Sequence, residues 1–520
     1  MWRWRSGRAL RSQRCLSVCG FSTGATGGDG PLAPVKLYVI AGEASGDAIG
    51  AKVIRALLRH QPPQSLEFRG IGGPQMCSAG GFESLFPMQD LSVMGLVEVV
   101  PHLWRFRRRI QDTLRDIEAF QPELVLTIDS KGFTFRVLKA LQASEERTGG
   151  KRIKKAHYVA PSVWAYKHRG KRDFTELKQL LDVMFTILPF EEDMFRAGEK
   201  NQSSRSGEDT AQSWCHFVGH PAVEDVLEVH GAYDRISSYE DAPTKTTHQV
   251  ETGADALLDL SKFSMDTLFA RGRIFQALAA TGREPNSRAR ARKEFDIPPD
   301  AFVICALVGS RANEVKKSAR LVLDAIIEMK RTSTSMREKN IYVVFPTIAA
   351  VEEQVNSNIS AADPVVECHV LTDLDAVARL RLFQGSDLAV AVSGTIVLET
   401  TLANLPTVVI YRANKVTEWI AQRLAAVRFV SIPNLLLGRS LLPELLFSDC
   451  TALNIADALG TLHGQPLDRG DALHLAMAVS TLTKWRENNG EPATRADVAH
   501  LLPIRASDVA AKHILSVLKN

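Results

Sequence analysis

Several short clusters in this chain carry side chains able to work on a sugar or a phosphate, and each follows an apolar run. The first is Gly42-Glu43-Ala44-Ser45-Gly46-Asp47. Its glycines permit a tight turn, and the helix predicted over Ile49–Arg59 would offer unpaired N–H groups to anions and hydroxyls. The spacing is not GxGxxG, so a dinucleotide site is not indicated. A plain strand-to-helix turn would explain the glycines, but not two acids flanking Ser45. Glu43 in particular puts negative charge where a cofactor phosphate would be repelled. Farther on, Asp129 closes another apolar run and is followed by Ser130-Lys131-Gly132-Phe133. A lone carboxylate at that place suits general-base work on a bound hydroxyl. It suits capping of the next helix equally well, and the residues alone leave both readings open. The stretch His157–Tyr166 then brings Ser162, Trp164 and Tyr166 together, as a sugar-stacking loop would, although tryptophan is as readily core. Lys167, His168, Arg169, Lys171 and Arg172 follow; they could meet a phosphorylated acceptor or simply form a solvated face.

The second half repeats the device. Gly309-Ser310-Arg311 leads into a helical stretch, and a helix start with a guanidinium beside it makes a diphosphate cradle. Arg311 would neutralise charge building on a departing nucleotide. Ser393-Gly394-Thr395 opens another helix, with Glu399 one turn in, where a carboxylate can take both ribose hydroxyls. Tyr411-Arg412 closes a further run. Helix capping would explain any one of these; all of them at strand ends in one half form a sugar-nucleotide signature.

The elements that must position these clusters read as α/β. Apolar runs span Lys36–Ala41, Glu123–Ile128, Ala156–Val159 and Val183–Leu188 in the first half. In the second they span Phe302–Val308, Ile341–Phe345, Val365–Leu371, Leu388–Val392 and Thr407–Tyr411. Near-continuous apolar strands alternating with helices imply parallel sheets covered on both faces. Two such series imply two doubly wound domains, whose ligands belong at the carboxyl ends of the strands. Between the halves, about Tyr233–Arg292, lies a polar and then basic stretch that reads as an insertion, and Glu199–Ser213 reads as a surface loop. The segment Leu91–Val100 followed by Pro101–Arg109, with Trp104 among clustered arginines, fits a membrane interface or acyl groove. It fits a buried helix with a basic face just as well.

With 520 residues, more than one domain is expected. An apolar fraction of 45% with 23% charged residues is ordinary globular composition, and no run approaches the roughly 18 apolar residues of a membrane span. Seven cysteines without a CxxC pair argue against structural zinc and a disulfide framework. Five arginines precede the first acid, Asp29, which reads as an organellar transit peptide. Taking those five from the net charge of +4 leaves about −1, which removes the support for a nucleic-acid partner.

Taken together the motifs resemble the lipid-A-disaccharide synthase family. The matching strings are GEASGD (42–47), MGLVEV (94–99), HYVAPSVWAY (157–166), LPFE (188–191), VGHP (218–221), VGSRANEV (308–315), SGTIVLE (393–399) and SIPNLLLGR (431–439). The resemblance implies a GT-B fold, two Rossmann-like doubly wound domains facing across a cleft, and an inverting transfer without metal or cofactor. UDP-2,3-diacylglucosamine would donate its sugar to 2,3-diacylglucosamine 1-phosphate, giving a β-1,6-linked disaccharide and UDP at a membrane surface. Asp129 falls at the family's catalytic carboxylate, with Glu43 as the rival base. Arg311, Glu399 and Asn434 match its nucleotide-side motifs; Ser45, Gly46, Ser162, Trp164, Gly309, Ser310, Ser393, Gly394 and Thr395 complete the expected substrate contacts. A homodimer is compatible with it. The family usually reads Ala-Pro-Asp-Phe-Asn after the catalytic aspartate, whereas this chain reads Ser130-Lys131-Gly132-Phe133-Thr134, which puts acceptor contacts there in doubt. The expected organisation is a transit peptide at 1–30, an acceptor domain at 35–230 and an insertion at 231–294. A UDP-sugar domain at 295–480 follows, and carboxy-terminal helices at 481–520 pack back across the cleft. The alternatives are another GT-B UDP-sugar enzyme and a non-catalytic protein that holds acylated sugar nucleotides.

Residues 1–30 fused to a fluorescent reporter are expected to deliver it to mitochondria. A diffuse cytosolic signal would refute the transit reading, and a plastid signal would correct the compartment.

Overall fold

The computed structural model describes residues 33–91, 103–165, 174–196, 214–229, 287–361, 365–413, 418, 423, 427–463 and 505–519. The segments 1–30, 94–99, 167–172, 199–213, 231–286 and 481–504, on which several expectations fall, lie outside the described residues.

Two parallel sheets carry the fold. The first comprises β1 (Val35–Ala41), β2 (Leu66–Ile71), β3 (Glu83–Ser84), β4 (Leu124–Ile128), β5 (Lys154–Tyr158), β6 (Val183–Thr186) and β7 (Cys215–Phe217), in the order β3-β2-β1-β4-β5-β6-β7. The second comprises β8 (Phe302–Leu307), β9 (Ile341–Thr347), β10 (Glu367–Thr372), β11 (Leu388–Val392), β12 (Thr407–Tyr411) and β13 (Glu444–Leu446), in the order β10-β9-β8-β11-β12-β13. Every pairing is parallel, with registers such as Ile40↔Thr127 and Ala391↔Leu307. The central strands are buried along their whole length, as in Leu-Val-Leu-Thr-Ile of β4 and Phe-Val-Ile-Cys-Ala-Leu of β8. That is why they read as unbroken apolar runs: helices cover both faces. β2, β3, β7 and β13 gave no such signal. β2 alternates, with Glu67 and Arg69 turned toward solvent, and the other three are only two or three residues long.

Both sheets are doubly wound from the middle outward, so each has one place where the winding direction reverses. In the first it lies between β1 and β4, and in the second between β8 and β11. Ligands of such sheets bind in the crevice beyond those strand ends. Glu43 and Asp129 follow β1 and β4; Gly309–Arg311 and Ser393–Thr395 follow β8 and β11.

The chain crosses between the two sheets by packing. The helix Pro221–Val229 sinks Ala222, Val223 and Val226 into the core around β8 and β11. The helix Ala506–Lys519 returns Ala510, Ala511 and Ile514 to the first core, against the helix Ala44–His60. The crossings are tied together, since the buried Glu224 accepts hydrogen bonds from Ser507 N (3.0 Å) and Ser507 Oγ (2.7 Å). The basic stretch expected to close the insertion behaves differently: Ser287–Glu294 is a helix of the second domain. Arg292, 5% exposed, donates to Gly385 O at 3.0 Å and to Asp387 at 2.9 Å, and Asp387 in turn accepts from Val303 N of β8. The second domain's packing thus begins before residue 295, because this arginine is spent on its sheet and not on solvent.

Arg292→Met removes the cation from that arrangement while keeping the aliphatic stem. The second domain's unfolding transition in urea is expected to lose about 2–3 kcal/mol. An unshifted midpoint would place Arg292 outside the core.

Candidate active site

In the first domain, two turns interlock. A Cβ built on Gly42 would lie 2.3 Å from Ser130 Oγ, so only glycine lets the turn after β1 pass against the turn after β4. Ser45 is exposed in the first turn of its helix, and Gly46 is buried beside Ile128 at the end of β4. Asp47, one of the two acids flanking Ser45, is committed elsewhere. It is 2% exposed and accepts from Gly73 N (2.8 Å), Gln75 N (3.1 Å) and Met76 N (3.0 Å), holding the neighbouring loop.

The backbone at the ends of β4 and β5 is left-handed at three non-glycine residues: Asp129 (φ 49°), Ser130 (φ 49°) and Val159 (φ 72°). A β-branched valine there is a genuine outlier, and such conformations each cost on the order of 1–3 kcal/mol. Strand-end hydrogen bonds impose them: Asp129 N to Tyr158 O (3.0 Å), Val159 N to Phe185 O (3.1 Å) and Thr134 Oγ1 to Asp129 O (2.9 Å). The result presents the Asp129 carboxylate with no hydrogen bond among the described residues, half-buried between the charges of Lys131 and Glu43. Burial holds the Lys131 ammonium below the usual lysine range, with Asp129 and Glu191 pulling it back up.

Trp164 sits in a single helical turn after β5. Its Nε1 donates to Glu191 Oε1 at 3.0 Å and its ring meets Phe190 edge-on at 5.4 Å. Glu191, 2% exposed, also accepts from Leu188 N at 3.1 Å, and burial pushes its carboxyl up to about 7. Sequence reasoning passed over Glu191. The signal was an acid directly after Leu188-Pro189-Phe190. Ser162 is half-buried one turn away.

In the second domain Gly309 takes φ 98°, and the helix Ala312–Thr332 starts three residues later. Its first turn is already occupied by an anion. Glu314 Oε2 accepts from Ser310 N (3.2 Å) and Glu314 Oε1 accepts from Arg311 Nη1 (2.9 Å). That carboxylate stands where a diphosphate oxygen would bind. After β11, Ser393 is half-buried, while Gly394 and Thr395 are exposed at the start of the helix Thr395–Leu402. Glu399 projects from its second turn, 9% exposed, with Oε2 accepting from Arg379 Nε at 2.8 Å.

Asn434 does not join this group. It is fully buried; Nδ2 donates to Leu442 O (2.8 Å) and Glu444 (2.9 Å), and Oδ1 accepts from Leu441 N (2.8 Å) and Leu442 N (2.9 Å). Its whole capacity is used within the chain. What it fixes is the helix Ile432–Leu437, whose Ile432 and Leu436 pack against both domain cores.

Across the cleft Arg311 Nη2 donates to Glu43 Oε2. Burial raises the Glu43 carboxyl above its usual range; the Arg311 cation opposes that and Asp129 reinforces it. Arg311 is 46% exposed and Glu43 29%. A pair this accessible contributes roughly 1 kcal/mol or less. A phosphate can therefore exchange for either carboxylate on Arg311 at small cost.

Two doubly wound parallel sheets whose reversal points carry an anion-binding helix start, a recessed carboxylate and an aspartate without a hydrogen bond among the described residues make a GT-B fold. The lipid-A-disaccharide synthetase family model matches residues 37–235 and 278–468, and the chain belongs to that family. It is 33% identical to a lipid-A-disaccharide synthase of Granulibacter bethesdensis, covering 82% of this chain and 85% of that protein. It is 31% identical to one of Rhodospirillum centenum, covering 92% and 97%. It is also 31% identical to the "Probable lipid-A-disaccharide synthase, mitochondrial" of Arabidopsis thaliana, covering 84% and 80%. Among solved structures, a Neisseria meningitidis UDP-GlcNAc 2-epimerase aligns over 94% of this chain and 100% of its own, with TM-score 0.47 and 12% identity. The chain is a glycosyltransferase of lipid A biosynthesis.

Loss of the Arg311 contact is expected to weaken UDP binding by about 1.5–3 kcal/mol. Calorimetry of Arg311→Ala with UDP decides it, and unchanged affinity would put the diphosphate elsewhere.

Proposed function

We propose that this chain transfers 2,3-diacylglucosamine from its UDP derivative to 2,3-diacylglucosamine 1-phosphate by a single displacement, with Asp129 as general base. Asp129 takes the proton of the acceptor's 6-hydroxyl as that oxygen bonds the donor's anomeric carbon. The bond from that carbon to the diphosphate breaks, its electron pair leaves with UDP, and the configuration inverts. Arg311 and the N–H groups at Ser310 and beyond take up the charge gained by the departing diphosphate. Glu399 holds the ribose, and Ser393, Gly394 and Thr395 line the same side. Ser45, Ser162 and Trp164 belong to the acceptor side.

The observation that carries this division is the state of the two candidate bases. Among the described residues the Asp129 carboxylate has no hydrogen bond, in a strained turn at the first reversal point, whereas Glu43 is bound to Arg311. A base must have a free lone pair within reach of the hydroxyl; Glu43 has one oxygen committed to the Arg311 cation, whereas both oxygens of Asp129 are open among the described residues. Lys131, two residues on at the start of the next helix, replaces the family's usual proline, so it gives the acceptor's phosphate a cation on that side.

The acylated substrates imply work at a membrane surface. The helix Leu103–Phe120 turns Arg107, Arg108 and Arg115 to solvent, with Arg136 laid over Phe106 at 5.3 Å, a basic face suited to anionic headgroups. With the arginine-rich first 30 residues, this points to peripheral attachment inside the mitochondrion.

Asp129→Asn keeps the shape of the side chain and removes its basicity. Turnover is expected to fall by ~10²–10⁴, the usual contribution of a positioned base, with UDP affinity unchanged. Near-normal turnover in Asp129→Asn together with an inactive Glu43→Gln would reverse the assignment.

A further inference from the structure

We propose that Arg379 is the positioning residue that aims Glu399 at the ribose of the bound nucleotide, and so sets the preference for a ribonucleotide over a deoxyribonucleotide. This rests on the reading of Glu399 as the ribose contact.

Glu399 lies on the core side of its helix, between the buried Leu398 and Leu402, so its carboxylate is deeply set for a group that must meet a ligand. One oxygen, Oε2, is clamped by Arg379 Nε at 2.8 Å. The other, Oε1, has no hydrogen-bond partner among the described residues. A carboxylate held by one oxygen and free at the other has its plane fixed. A ribose needs that plane fixed, because its two neighbouring hydroxyls donate along set directions.

Arg379 can hold it because it is held in turn. It comes from a different element, the helix Ala376–Gly385, whose start is capped by Asp375 accepting from Ala378 N at 2.7 Å. Its Nη1 reaches Leu374 O at 3.4 Å, and the charges of Asp225 and Asp375 face the guanidinium along with Glu399. Asp225 lies on the crossing helix and is itself paired with Lys52 of the first domain at 2.5 Å. The guanidinium is thus surrounded by three acids and hydrogen-bonds the one that points toward the nucleotide side. A lysine would supply the charge without the rigid pair of donors that joins Glu399 to Leu374 O.

The test is calorimetry of wild type, Arg379→Gln, Arg379→Lys, Glu399→Gln and the Arg379→Gln/Glu399→Gln double variant with UDP and with 2′-deoxy-UDP. A hydroxyl donated to a carboxylate is worth about ten- to a hundredfold in affinity, so wild type is expected to prefer UDP by at least about tenfold. Arg379→Gln should lose about tenfold toward UDP and little toward 2′-deoxy-UDP, collapsing the preference. Arg379→Lys should fall between, and the double variant should be no worse than Glu399→Gln. Should Arg379→Gln fail to fold, Arg379→Lys alone carries the comparison. The proposal is overturned if the Arg379 variants weaken both nucleotides equally or leave the preference intact while Glu399→Gln abolishes it. If Glu399→Gln itself keeps the wild-type preference, it is the ribose contact at Glu399 that is wrong.

Discussion

Arg311 is gripped by two carboxylates at once, Glu43 from the first domain and Glu314 from its own helix, and the cleft is organised around that shared charge. It exists because two sheets of the same winding order present their reversal points toward each other. The turn after β1 and the turn after β8 then come within reach of a single long side chain. Without a nucleotide, the guanidinium is kept charged and placed by acids that solvent partly screens. Screened pairs are cheap to exchange, so the site can be preorganised for a diphosphate without binding its own carboxylates too tightly.

The other side of the cleft relies on strain. Left-handed φ angles at Asp129, Ser130 and Val159 are tolerated because the strand ends around them are fully hydrogen-bonded and because Gly42 yields its side-chain space to Ser130. The cost is stored where a carboxylate must face outward with no hydrogen bond among the described residues. A relaxed helix cap would have turned Asp129 back onto the helix Lys131–Thr148, and it would have been lost to chemistry.

Much of this was legible in the sequence, and the reason is geometric. Buried parallel strands must be unbroken apolar runs, and a doubly wound sheet puts its reactive loops at the ends of those runs, so Glu43, Asp129, Gly309–Arg311 and Ser393–Glu399 could be picked out by position alone. Four strands escaped because they are short or lie toward sheet edges, where one face meets water. The roles of Asp47, Glu191, Asn434 and Arg379 escaped for a different reason. Each is decided by partners that arrive from other elements: Asp47 by the amides of Gly73, Gln75 and Met76, and Arg379 by a carboxylate on the next helix but separate from its own. No local pattern records such meetings.

Those residues also show how motif strings divide. GEASGD contains both Glu43 and Asp47, and SIPNLLLGR contains Asn434, yet the strings alone do not separate a residue that meets substrate from one that builds the site. Hydrogen-bond accounting does. Asp47 is taken up by three backbone amides and Asn434 by backbone groups and the Glu444 carboxylate, and the desolvation cost of breaking such contacts exceeds what a ligand would return. Asp129, half-buried, and one oxygen of the buried Glu399 are left open among the described residues, at positions where a new hydrogen bond is strong and water competes poorly. Scaffold and chemistry are therefore written in the same letters, and what distinguishes them is whether the fold has already used their lone pairs.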